Sequence, residues 1–208
     1  LYLKKIGKEI VLPNILIQGG GVAGVEVALS INFRLKRLNV NNFNILIVDK
    51  SKILNKVNKR TKDILLKELE NQKIKIFEHI SSDEEIYLKT LYKNTFNNDP
   101  NFFIFSTGAS PYKWIENTQL ELKNGYILVD EFLRAYNDKK VFGVGDCIHF
   151  SKKGLSKSGV YAVRQSAILY RNIKATLERK PLKKYKPQKS TLQLISLGKK
   201  SAVWDKSF

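Results

Sequence analysis

An α/β fold on a parallel sheet is what this chain of 208 residues predicts, and three observations predict it. Ile15, Leu16 and Ile17 form a short apolar run that leads straight into Gly19, Gly21 and Gly24, and an amphipathic segment follows at once. A second apolar run at 44–48 (NILIV) ends in Asp49. KIKIF at 73–77 and FFIF at 102–105 then continue an alternation of strand-like and helix-like stretches, the pattern of parallel sheets with crossover helices.

The first run and its glycines set the order strand, turn, helix. Spaced G-x-G-x-x-G, the three glycines have separate physical jobs. Gly19 permits the tight turn, Gly21 lets the backbone approach a diphosphate without a Cβ in the way, and Gly24 allows the helix to pack closely on its strand. Free amides and the helix dipole then suit an anion. Asp49, 25 residues past Gly24, stands where an acid accepts the ribose hydroxyls of NAD. A carboxylate there favours NADH over NADPH by repelling a 2′-phosphate, and the adjacent Lys50 works against that preference.

In chain order, Pro13 separates residues 1–12, read as the end of a preceding segment, from the first strand. The first helix carries Val25, Ala28, Leu29, Phe33 and Leu38 at near-helical spacing and stops in the Asn-rich run 39–44. A second helix places Ile64, Leu65 and Leu69 on one face and ends near Gln72; KIKIF then alternates as a half-buried strand. Between 79 and 100 the pattern is weak, with a turn or helix cap at 81–85 and a loop at 97–100. FFIF reads as a fully buried strand that opens into Ser106, Thr107, Gly108 and Ala109 at the sheet's carboxyl edge, where ligands of open α/β sheets bind. GYILV at 125–129 and VFGV at 141–144 read as further strands, the second ending in Gly145 and Asp146. By spacing alone that pair is an ordinary strand-to-turn connection more readily than an acceptor of sugar-like hydroxyls. Residues 160–177 form the clearest late helix, with Val163, Ala167, Tyr170, Ile173 and Leu177 on one face. KPLKKYKPQKS at 180–190 reads as a linker or exposed arm, and LQLISL at 192–197 as a strand without a sheet.

Composition narrows the class. With 43% hydrophobic residues the chain is not disordered in character, and no apolar run approaches the roughly 18 to 20 residues that span a bilayer. The single Cys147 excludes an internal disulfide framework or two-cysteine redox centre within this chain and fits a reducing, cytoplasmic setting. The absence of Met leads to the expectation that the chain is a piece of a longer protein. Net charge is +18 and uneven: from residue 151 onward 15 Lys and Arg stand against 2 acids, whereas residues 1–150 hold 22 against 17. Such a basic end suits an anionic membrane surface, nucleic acid or an acidic partner, or is a solvated Lys-rich surface.

As an ordered set, GGGVAGVE, FSTGASP, VFGVGDC and SGVYAVRQ resemble the second half of the flavoprotein family of pyridine nucleotide-disulfide oxidoreductases. Within it the chain looks most like type II NADH dehydrogenases and the related flavoproteins fused to selenide, water dikinase. The resemblance implies a Rossmann-like NADH-binding domain over 13–110, the C-terminal part of a FAD-binding domain over 111–180, and a basic arm with the start of a C-terminal domain over 181–208. It implies hydride transfer from NADH to flavin and on to a quinone or other small electron acceptor, with FAD held by the complete protein. By resemblance Gly19, Gly21, Gly24 and Asp49 bind NADH, Glu26 lies near the nicotinamide, and Thr107 and Gly108 line the dinucleotide cleft. Gly145 and Asp146 match the pair that holds the flavin ribitol, and Val160 and Tyr161 fall where the next helix approaches the flavin ring. No catalytic side chain and no metal ligand is assigned. The family's first glycine fingerprint would precede Leu1, so the chain reads as a fragment lacking it. Disulfide reductases need a reactive cysteine pair and are excluded within this chain; sulfide:quinone reductases are disfavoured by the same lack.

The resemblance leaves a peripheral membrane contact and a homodimer as open partners. Nucleic acid is disfavoured, because aromatic residues are not interleaved with the basic ones in a stacking pattern. The alternative from a different class is a non-catalytic dinucleotide-binding module that acts through its basic arm. His79, His149, Cys147, Trp114 and Trp204 read as structural, surface or packing residues.

Overall fold

The computed structural model describes residues 13–188 and 191–207; the expectation for residues 1–12 lies outside them. Two compact units are present, one with the described residues up to Gly108 and those from Leu192 on, the other Ala109–Thr191. Residues 181–188 belong to the second unit, and the residues from Leu192 on to the first.

In the first unit, β1 (Asn14–Gln18), β2 (Asn44–Val48), β3 (Lys75–Phe77) and β4 (Phe102–Phe105) form one parallel sheet in the order β3-β2-β1-β4. Helices α1 (Val22–Arg37), α2 (Lys59–Asn71) and α3 (Glu85–Phe96) link the strands. Successive strand residues face opposite sides. Ile15, Ile17, Ile45 and Ile47 therefore meet Val25, Ala28, Leu29, Leu65 and Leu69 from α1 and α2. Leu16, Leu46 and Val48 meet Leu88 and Tyr92 of α3 on the other face. Both faces of the two central strands are covered, which is why they read as continuous apolar runs.

Three expectations change here. The α3 helix fills the stretch that sequence left undefined; its Tyr92 is fully buried, donates to the Asn44 carbonyl at 3.0 Å, and has its phenol pushed well up by burial. FFIF is not fully buried, because β4 is a sheet edge paired only with β1 and leaves Phe102 49% and Phe105 68% exposed. Phe33, Leu38 and Ile64 are exposed as well, while Asn32 and Leu35 take the inward positions of α1.

The last segment, expected to lack a sheet, pairs with itself as β8 (Thr191–Ser196) and β9 (Ala202–Ser207). Ile195 enters the core beside α1 and α2, and the buried Asp205 accepts from the Asn58 backbone and side-chain amides at the start of α2. Trp204 and, in the second unit, Trp114 are about three-fifths exposed (61% and 60%), so neither is the packing residue expected.

In the second unit, after α4 (Lys113–Glu116), β5 (Leu122–Lys123) pairs antiparallel with β6 (Tyr126–Val129), and β6 pairs parallel with β7 (Ile148–Phe150). VFGV is not a strand. It makes one isolated bridge, Arg134 with Phe142, and buried Gly143 passes so close to Ile148 that a Cβ there would lie 2.6 Å from its Cγ2. Gly145 and Asp146 consequently begin a 3₁₀ turn (Gly145–Cys147) that leads into β7 instead of ending a strand. The last helix, α5 (Gly159–Leu177), turns the polar Gln165 and Asn172 inward and leaves Val163, Tyr170, Ile173 and Leu177 exposed.

Residues 181–187 are not a free arm. Tyr185 is buried, stacks edge-on against Phe150 and donates its backbone amide to the Glu131 carbonyl at 2.7 Å. Asn172 clamps Lys183 by accepting from its amide and donating to its carbonyl.

Candidate functional site

The turn between β1 and α1 is shaped by what a side chain there would strike. At Gly19, φ is +113°, and a Cβ would lie 2.3 Å from the Ser106 carbonyl oxygen at the end of β4. At Gly24 it would lie 1.9 Å from the Gly19 carbonyl oxygen. Gly21 is different: it is exposed and a Cβ would meet nothing within 4 Å. Two glycines thus close the turn and the third keeps the space in front of it clear.

The helix behind the turn is left uncapped. Gly21 is the N-cap of α1 and offers no side chain, and no acid lies in the first turn. In α2, by contrast, the Asn58 side chain accepts from the Thr61 amide at 2.9 Å. The free amides that open α1 are an electropositive, unsatisfied group of donors.

Asp49 closes the other side. One carboxylate oxygen accepts from the Gly20 amide at 2.6 Å, the other from the Ser51 amide at 2.7 Å and hydroxyl at 2.9 Å. Partial burial acts to raise its pKa, but these bonds outweigh it and hold the carboxyl below the usual range. The loop after Asp49 is tied to the glycine turn as well, through Leu54, which donates to the Gly20 carbonyl at 2.9 Å from a left-handed conformation (φ 53°).

Gly19, Gly21, Gly24, Asp49, Thr107 and Gly108 therefore gather at the carboxyl ends of β1, β2 and β4, Thr107 and Gly108 exposed and Gly108 at φ +103°. The Glu26 carboxylate accepts the Ser196 amide at 2.7 Å and so anchors β8.

The second unit holds the other candidates. Gly145, at φ +73°, donates its amide to the buried side-chain oxygen of Gln165 at 2.6 Å. Asp146 is exposed and its carboxylate accepts no hydrogen bond among the described residues. Lys157 lines the same cleft as Asp146, Tyr161 and Gln165; it donates to the Ile148 carbonyl and lies over the Tyr126 ring. Burial lowers its ammonium pKa, opposed by the charge of Asp146. Val160 and Tyr161 occupy the first turn of α5, whose N-cap Ser158 makes no side-chain cap. His149 sits half-buried on β7, its pKa lowered by burial and by the charges of Lys123 and Lys157. Among the described residues no cluster of His, Cys, Asp and Glu suits a metal ion, and no helix is long and apolar enough to cross a membrane.

Sequence reasoning missed Ser51, Leu54 and Gln165. Ser51 had a local signal, since an Asp two residues before a Ser commonly bonds its amide. Gln165 had one too: it lies seven residues before Asn172, so both polar groups share a helix face. Leu54 had none.

Known proteins match the chain along most of its length. Ferroptosis suppressor protein 1 of Mus musculus is 27% identical over 202 residues, which cover 91% of this chain and 52% of that protein. A probable NADH dehydrogenase of Dictyostelium discoideum is 26% identical over 211 residues, 95% of this chain and 46% of that one. The chain thus spans about half the length of these relatives. In structure it superposes on a FAD-dependent pyridine nucleotide-disulphide oxidoreductase from Desulfovibrio vulgaris with a TM-score of 0.64 at 20% identity, covering 89% of this chain and 47% of that one. The profile of the pyridine nucleotide-disulphide oxidoreductase family matches residues 3–167, a span that holds every candidate residue from Gly19 to Tyr161. On that match the chain belongs to the pyridine nucleotide-disulphide oxidoreductase family.

Proposed function

We propose that this chain is the NADH-binding portion of a FAD-dependent NADH dehydrogenase-like oxidoreductase, which takes hydride from NADH and delivers electrons to a small acceptor. The observation that carries this reading is Asp49, bonded across to the Gly20 amide beside the open Gly21 and the uncapped start of α1. Diphosphate and ribose need that combination: unsatisfied amides for one, an ionised acceptor for the other. Gly21 leaves room for the diphosphate, the first-turn amides of α1 hold it, and Asp49 accepts from the ribose. Thr107 and Gly108 bound the same cleft from β4.

Gly145, Asp146, Val160 and Tyr161 would hold the flavin. The exposed carboxylate of Asp146, without a hydrogen-bond partner among the described residues, suits the hydroxyls of a ribityl chain, and Gln165 keeps the Gly145 turn in place. When bound, FAD supplies the two-electron chemistry. The relative named as a probable NADH dehydrogenase supports the reading. A quinone is the acceptor we favour, on the resemblance of the motif set alone. The basic surface after residue 150 supports a peripheral contact with an anionic membrane and leaves a homodimer open. The binding-module alternative is weaker, because Lys184 of the basic segment is paired with Glu131 and Tyr185 beside it is buried.

The test is NADH titration by fluorescence, followed by FAD reconstitution and desalting. NADH should bind, and Gly21→Val with Asp49→Ala should abolish binding. Unchanged binding in that double variant would remove the reading.

A further inference from the structure

Lys50 is the cation that sequence places beside Asp49, where it would attract the 2′-phosphate of NADPH and blunt the preference for NADH. In the structure its ammonium lies 2.8 Å from a carboxylate oxygen of Asp83. Asp83 stands in the loop between β3 and α3, and that loop is fixed to the Asp49 segment. The Ile80 amide donates to the Asp49 carbonyl at 3.0 Å, the Asp49 amide to the Phe77 carbonyl at 3.0 Å, and the Ile53 amide to the Glu78 side chain at 2.9 Å. The backbone therefore brings the loop that carries Asp83 alongside Lys50, and the pair itself is closed by two exposed side chains.

We infer that Asp83 is a positioning residue for cofactor choice: by holding Lys50 toward the β3 loop, it withdraws the one cation adjacent to Asp49 from a 2′-phosphate. Discrimination against NADPH then rests on two carboxylates acting at different points, Asp49 by direct repulsion and Asp83 through Lys50. This rests on the reading of Asp49 as the ribose acceptor. Lys52, exposed in the same loop, is the neighbouring cation that Asp83 does not engage, and it serves as the control.

The experiment is a fluorescence titration of NADH and NADPH against the purified chain, Asp83→Asn, Asp83→Glu, Lys50→Ala, Lys52→Ala and the pair Lys50→Ala/Asp83→Asn. Asp83→Asn should tighten NADPH roughly two- to fivefold, the range that an exposed charge pair supports, and leave NADH unchanged. Asp83→Glu should restore the wild-type ratio. The gain should vanish in the Lys50→Ala background, persist with Lys52→Ala, and fade in about 1 M salt, where the screening length is about 3 Å. A gain of equal size without Lys50 would show that Asp83 acts only as a bulk negative charge and overturn the inference. So would NADPH affinity that no variant changes or makes measurable. Failure of the wild-type chain to bind NADH reads differently: it sinks the assignment of Asp49, and this inference falls with it.

Discussion

Gly21 and Gly24 lie three residues apart in one turn, yet substitution should separate them. A Cβ at Gly24 would overlap the Gly19 carbonyl oxygen at 1.9 Å, so Gly24→Ala must move α1 or the turn and should cost about 2 kcal/mol or more of stability, read from urea unfolding. Gly21 has φ −71° and open space, so Gly21→Ala should cost only about 0.5 to 1 kcal/mol, the loss of a glycine N-cap, while NADH affinity drops at least about tenfold. Asp49 gives a pH test. Its folded pKa lies below its unfolded value of about 3.9, so its stabilisation is complete above that pH and is lost as pH falls toward the folded value. The stability difference between wild type and Asp49→Asn should therefore shrink as pH falls below about 3.9, measured by urea midpoints. These residues were legible in the sequence because spacing alone places them at one strand-to-helix turn. Leu54 was not, since its role depends on the path the loop takes after β2.

At the scale of elements, the two late segments are held by few, strong contacts. Ile195 of β8 is fully buried, and Ile195→Ala should destabilise the first unit by about 3 kcal/mol. Amide exchange at Asn58 and Thr61 should then quicken, since β9 supplies the Asp205 carboxylate that accepts there. Asn172 is the corresponding anchor in the second unit. Asn172→Ala removes two donated bonds of 2.9 Å and an accepted one of 2.7 Å, and about 2 kcal/mol with them. Limited trypsin digestion should then cut after Lys183 or Lys184 faster than in the wild type. Central strands β1 and β2 were legible as apolar runs and α2 by its period. The edge strand β4 was misread as buried because a run such as FFIF looks the same at a sheet's centre and at its edge; only pairing distinguishes them. In the same way a Lys- and Pro-rich stretch reads as a linker until Tyr185 finds Phe150.

Across the whole molecule, binding should be readable as local protection. Saturation with NADH at about 100 times Kd adds roughly 2.7 kcal/mol to the state that binds it. Amide exchange should slow in β1, the glycine turn, the start of α1 and β2, while β6 and β7 of the second unit stay unchanged; slowing confined to the second unit would contradict the assignment of the glycine turn. The sequence by itself determined the parallel α/β order, the glycine turn with its acid, and the family, because these are carried by local spacing and by alternation along the chain. Tertiary structure alone decided the rest. It set α3 on the second face of the sheet, folded the last segment back as a hairpin on the first unit, turned the polar face of α5 inward, and paired Lys50 with Asp83. Periodicity shows that a helix has an apolar stripe, but which face is buried, and which charge meets which, depends on neighbours distant in sequence.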